Sequence, residues 1–166
     1  MCGILGFITK GEARQDVLDA IRGALVLDVK RGSDACGITW LTPEKTLKVR
    51  KGPGVPKDVF GGWEMKSTPM LIGHNRAATV GSKNYNENNH PLVSGSYVLA
   101  HNGSVSMDES DKKTLGMTEE AEVDSQLIVQ AIRLCRKKTG STPAAIVEAT
   151  KYIKGTFACA MMNGRE

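Results

Sequence analysis

The order of elements along the chain predicts a layered domain of mixed α/β or α+β type. Three observations carry this: a short apolar strand opens the chain, amphipathic helical segments interleave, and strand-like runs return near its end. The length fits, since 166 residues and 17.9 kDa suit a single domain, or one cut slightly short. No repeat, low-complexity tract or Pro/Gly/Ser linker divides it.

Gly3–Ile8 is an apolar strand. Residues 14–29 place Val17, Leu18, Ile21, Ala24, Leu25 and Leu27 close to one helical stripe. Arg31-Gly32-Ser33-Asp34 is then a turn, and strands are expected at 36–41 and 46–50, joined by a hairpin loop at Thr42-Pro43-Glu44-Lys45. A strand at 70–73 leads into His74-Asn75-Arg76, and 81–89 is a polar loop rich in asparagine. Residues 97–100 form a strand that runs into His101-Asn102-Gly103, where Asn-Gly is a tight-turn signal. A long helix is expected from about Thr118, as N-cap, to Lys138, with Val123, Leu127, Ala131 and Leu134 along one face. A second helix follows Pro143, and 156–162 is a closing strand.

Composition removes several functional classes. Hydrophobic residues are 40% and charged residues 24%, an ordinary globular balance. No apolar run reaches membrane-spanning length, and the apolar stretch after Met1 lacks a basic flank, so neither a membrane protein nor a secreted one is expected. The net charge of +4 is modest and scattered, and aromatics at 5% leave few rings for stacking on bases, so no nucleic-acid partner is expected. Cys2, Cys36, Cys135 and Cys159 form no C-x-x-C pair and no histidine stands at zinc-ligand spacing, which argues against a metal and for a reduced, cytoplasmic setting. Cys36, Cys135 and Cys159 read as small buried hydrophobes.

Cys2 differs by position. Removal of Met1, which a small second residue favours, leaves Cys2 with a free α-amino group. That amine titrates near ~7.7–8.0 and a free thiol near ~8.5, so one residue supplies both nucleophile and base. On position alone, a chance small hydrophobe is the favoured reading of a cysteine at residue 2.

The surrounding segments decide between these readings. Met1-Cys2-Gly3-Ile4-Leu5-Gly6-Phe7 resembles the start of the class II, N-terminal-nucleophile glutamine amidotransferases. Four further segments match that family in the same order: Arg31-Gly32-Ser33-Asp34-Ala35-Cys36-Gly37, Gly73-His74-Asn75-Arg76-Ala77-Ala78-Thr79, Leu99-Ala100-His101-Asn102-Gly103 and Val123-Asp124-Ser125-Gln126. Asn88-Asn89-His90-Pro91 and Lys154-Gly155-Thr156-Phe157-Ala158-Cys159-Ala160 extend the resemblance. The spacing most resembles the glutaminase domain of glucosamine-6-phosphate synthase, followed by phosphoribosylpyrophosphate amidotransferase.

The resemblance implies an α+β fold, a four-layer αββα sandwich of two antiparallel sheets that stops short of the family's last strands. It implies that residues 1–166 are one glutamine amidotransferase domain with no synthase domain. Cys2 would attack the side-chain amide of L-glutamine to give a γ-glutamyl thioester and ammonia, with no cofactor. Asn102 and the Gly103 N–H would stabilise the oxyanion. Arg76 would bind the α-carboxylate, Asp124 the α-ammonium, Thr79 would contact substrate from the Arg76 loop, and Arg31 would support the nucleophile. His74, His90 and His101 are expected to be structural. A separate synthase or acceptor subunit and self-association are the expected partners. Two departures stand out: position 77, usually a bulky aromatic lid, is Ala77, and the chain ends early. They favour a second reading, a non-catalytic binding or regulatory module of the same fold. An amidase acting on a different amide is a third, which the Arg76/Asp124 pair opposes.

Overall fold

The computed structural model describes residues 2–62, 64, 67–117 and 122–164. Among the described residues seven strands form two antiparallel sheets, which makes the fold α+β. The first sheet joins β1 (Gly3–Ile8), β2 (Ala35–Leu41), β3 (Leu47–Pro53) and β4 (Met70–Arg76) in the order β1-β4-β2-β3. The second joins β5 (Leu92–Ser94), β6 (Tyr97–Ser106) and β7 (Lys154–Asn163) in that order. The helices are α1 (Gln15–Leu27), α2 (Pro56–Phe60), α3 (Glu109–Leu115), α4 (Ser125–Thr139) and α5 (Thr142–Ala149).

Among the described residues, apolar clusters fill the spaces between the helix and sheet layers. Leu18 and Leu25 of α1 meet Leu5, Phe7, Ile38 and Leu71 on the outer face of the first sheet. Ile4, Ile72, Ala100, Ala160 and Met162 pack between the two sheets. Leu99, Val105 and Tyr97 of β6 meet Ile128, Val129 and Ile132 of α4 and Ala145 and Ala149 of α5. The period of two along each strand makes this possible. On β6 the odd positions turn to α4 and the even positions to the first sheet, so His101 faces α4 and Asn102 faces β1.

Several sequence expectations need correction. Asn102-Gly103 is no turn: β6 runs straight through it and pairs Asn102 with Ala158 and Gly103 with Phe157. Glycine is required there by close approach, because a Cβ at Gly103, whose φ is +142°, would stand 2.0 Å from the Thr156 carbonyl oxygen. The long helix begins at Ser125 and ends at Thr139. Thr118, its expected cap, lies outside the described residues, and Val123 precedes the helix as a buried core residue. β4 continues through His74 and Asn75 to Arg76. α2, α3 and β5 went unanticipated. Cys36 and Cys135 are buried free thiols as expected, but Cys159 is exposed on β7. Among the described residues no helix is long and apolar enough to cross a membrane.

Candidate active site

Cys2 stands immediately before β1, where Gly3 pairs with Asn75 of β4. Its carbonyl oxygen accepts from Asn102 Nδ2 at 2.9 Å and from Arg31 Nε at 3.0 Å. One donor comes from the second sheet, the other from the 3₁₀ turn Asp28–Arg31 that ends α1. The Cys2 Sγ lies over the peptide after β4: the Ala77 N–H donates to it at 3.3 Å, and the Ala77 carbonyl is 3.5 Å away. Sequence positions separated by up to 100 residues thus converge on one backbone unit. Met1, whose removal would free the amine, lies outside the described residues.

Arg76 is buried, at 3% exposure, and ties its own loop together. Its guanidinium donates to Asn89 Oδ1 at 2.9 Å, to the Gly81 carbonyl at 2.9 Å and to the Val80 carbonyl at 2.5 Å. Burial lowers its pKa, opposed by Cys2 first and then by Asp34, Glu122 and Asp124 nearby. Asp34 holds the loop's other side: Oδ2 accepts from the Ala78 N–H at 2.9 Å and Oδ1 meets Lys83 at 3.3 Å. The Ala78 bond, and then Lys83, keep its carboxyl below the usual range. Gly32 lets β4 approach, since a Cβ there would lie 2.4 Å from the Arg76 carbonyl carbon.

Of the expected site residues, Cys2, Asn102 and Arg31 are in direct contact, and the Arg76 loop joins them through Ala77. Asp124 is half-buried at the start of α4; Oδ2 accepts from the Val105 N–H at 2.9 Å and Oδ1 from the Ser125 hydroxyl at 3.3 Å. Gly103 follows Asn102 on β6 but is held by β7 rather than by a turn. Thr79 is exposed on the Arg76 loop and takes part in none of these contacts. Sequence reading missed Asn89 as Arg76's partner and Asn88, whose amide donates to Glu122 Oε2 at 2.8 Å and to the Ser82 carbonyl at 3.0 Å. The asparagine-rich loop was the available signal.

The three histidines bridge the sheets behind the site. His74 Nε2 lies 3.1 Å from the His101 carbonyl oxygen and donates to it, His101 Nδ1 lies 2.7 Å from Ser125 Oγ, and His74 stacks on His90 with ring centroids 4.2 Å apart. Burial pushes His74 down to about 4 and His90 well below its ordinary value, and lowers His101 as well. All three are therefore neutral at neutral pH. Between about pH 6.5 and 4 the unfolded chain binds more protons than the folded one, so stability falls as pH falls through that window. His74 alone should cost about 3 kcal/mol by pH 4. Urea midpoints measured across this range should decline steadily, with a shallower decline in His74→Asn; a flat midpoint would refute the assignment.

Chains of known function match this one from end to end. It is 31% identical over 170 residues to glutamine–fructose-6-phosphate aminotransferase (isomerizing) of Xylella fastidiosa, covering 100% of this chain and 27% of that one. It is 28% identical over 177 residues to amidophosphoribosyltransferase of Escherichia coli, covering 98% of this chain and 34% of that one. Among solved structures, the glutamine phosphoribosylpyrophosphate amidotransferase of B. subtilis complexed with ADP and GMP superposes with a TM-score of 0.70 at 25% identity, over 97% of this chain and 35% of that one. No protein-family model matches. The chain thus spans about a quarter to a third of the length of these relatives. The fold is that of the N-terminal-nucleophile hydrolases. Within it, the chain is homologous over its whole length to the glutaminase domain of class II glutamine amidotransferases.

Proposed function

We propose that this domain hydrolyses the side-chain amide of L-glutamine to glutamate and ammonia through a thioester on Cys2. The arrangement that carries this reading is the Cys2 thiol against the Ala77 N–H, with its own carbonyl held by Asn102 and Arg31 beside the buried Arg76. The Cys2 α-amine takes the thiol proton as Sγ bonds to the amide carbon. The C–N bond then breaks and the same amine returns the proton to nitrogen, releasing ammonia. Water attacks the thioester next, giving its proton to the amine, and glutamate leaves with the thiol restored. Asn102 and the Gly103 N–H stabilise the oxyanion in both halves, Arg76 and Asp124 select a free amino acid by its α-carboxylate and α-ammonium, and Thr79 contacts substrate from the loop. No cofactor enters these steps.

Intact-mass analysis with a glutaminase assay tests the reading. Loss of Met1 together with glutamate production is the expected result; Met1 retained with no turnover would favour a binding or regulatory module. The engagement of Arg76 by its own loop gives that second reading a specific footing, because a substrate carboxylate must share or displace those bonds. Asp124→Asn separates binding from chemistry. Its amide oxygen can still accept from the Val105 N–H while the charge is gone, so KM for glutamine should rise about tenfold with kcat nearly unchanged. Equal loss in kcat would overturn the role.

The small Ala77 leaves the thioester open to water, so ammonia from the isolated domain should escape unless a separate synthase subunit covers the loop at 76–81. Self-association is the other part of this proposal. The first six residues of β7 are exposed, and β7 ends its sheet, so the strand presents a free backbone edge. A cytoplasmic setting completes the reading.

A further inference from the structure

On β3, Leu47, Val49 and Lys51 take the alternate positions that turn inward, while Lys48 and Arg50 are exposed. Two of the three are apolar, as period two requires of a strand lying on a core. Lys51 is the exception. Its ammonium donates to the carbonyl of Asn89 at 2.6 Å and to that of Pro91 at 3.0 Å, the residues on either side of His90. Its own carbonyl accepts from Asn86 Nδ2 at 3.1 Å. Gly37 on the neighbouring strand makes room for this seat, because a Cβ there would lie 2.6 Å from Lys51 Cβ and 2.2 Å from the His90 carbonyl oxygen. Asn89 is fully buried, and its Oδ1 is the side-chain acceptor of the Arg76 guanidinium. Its amide nitrogen donates in turn to the Lys83 carbonyl at 2.8 Å.

We propose that Lys51 is a positioning residue for Arg76: by gripping the Asn89 and Pro91 carbonyls it fixes the Asn89 amide that aims the guanidinium at an amino acid's α-carboxylate. The identity of that ligand rests on the glutamine reading above, whereas the grip itself rests on the two Lys51 contacts. Removing the ammonium leaves two carbonyls short of a donor next to a fully buried asparagine, which frees the segment to shift and lets the guanidinium follow. Burial first, then Arg76, lowers Lys51 to about 8, with Glu87 opposing; Lys51 in turn disfavours a charge on His90. The grip therefore weakens as pH rises through about 8, a change that arginine at this position would not undergo.

The test compares wild type, Lys51→Met and Lys51→Arg by amide hydrogen exchange over residues 77–91 and by kcat and KM for glutamine. Lys51→Met should lose about tenfold in protection and raise KM about tenfold, with kcat changed less than about threefold. Lys51→Arg should recover both, and it should keep its protection above pH 8, where wild type loses it. Unchanged exchange and KM in Lys51→Met would overturn the proposal, as would a loss confined to kcat. If the lysine serves merely to blunt an edge strand, Lys51→Met will associate more without altered exchange, which also overturns it. Should Lys51→Met fail to fold, identical pH courses for wild type and Lys51→Arg would be the refuting result. Wild type without glutaminase activity would refute the glutamine reading, while the exchange comparison still decides the grip.

Discussion

Cys2→Ala is expected to abolish glutamine hydrolysis while leaving the fold intact. The side chain is half-buried, and the contacts that hold its backbone run through its carbonyl, which alanine retains. A glutamine-like electrophile should label Cys2 alone. Cys36 is buried, with its thiol pushed up to about 12, and Cys135 is buried and shifted the same way. Cys159 is exposed as a residue, so a generic alkylating agent can reach it, yet desolvation by the protein around it pushes its thiol up to about 11 and leaves little thiolate at neutral pH. Peptide mapping after labelling checks both points. Activity surviving in Cys2→Ala, or labelling at Cys36, would end the thioester mechanism.

Asn102→Ala should lower kcat by about 10²–10³ with a much smaller change in KM, the effect of removing one oxyanion donor. The contacts sharpen this expectation. Asn102 Nδ2 already donates to the Cys2 carbonyl at 2.9 Å, and Arg31 donates to the same oxygen at 3.0 Å. Loss of Asn102 therefore leaves the nucleophile one of its two backbone restraints, and the rate defect reports on chemistry more than on placement. A double variant with Arg31→Ala measures the remainder. If Asn102→Ala costs less than about tenfold alone but far more without Arg31, the asparagine acts as a backbone clamp and not as an oxyanion donor.

Local signals in the sequence set most strands and helices, and their failures share a cause. Asn-Gly marks a turn when neighbouring residues decide the outcome. Here β7 pairs with β6 from Tyr97↔Asn163 to Ser106↔Lys154, and that long-range ladder carries the strand straight through Asn102-Gly103. The start of α4 was misplaced because Val123 fits a helical stripe as well as it fits the core position it occupies. The order β1-β4-β2-β3 is a matter of distant pairing that no local pattern encodes. Cys2, Arg31, Arg76 and Asn102 are singled out by resemblance alone, and their convergence at Cys2 and its neighbour Ala77 depends on long-range strand pairing that no local pattern encodes. Period two could have flagged Lys51 as inward-facing, but the carbonyls it grips belong to a loop 38 and 40 residues further on. Burial of Cys159 is the expectation for a cysteine of no assigned role, whereas its strand ends the sheet.

The doubly held carbonyl of Cys2 has a mechanical consequence. With that oxygen fixed from two sides and β1 paired to β4 from Gly3 onward, the peptide leaving Cys2 behaves as an anchored pivot. What stays free is rotation about the N–Cα and Cα–Cβ bonds. Rotation about Cα–Cβ sweeps the sulfur over the Ala77 peptide, and rotation about N–Cα turns the N–H bonds while the nitrogen stays in place. In the proposed thioester cycle, attack and proton return would then need side-chain rotation on a stationary backbone rather than a backbone shift.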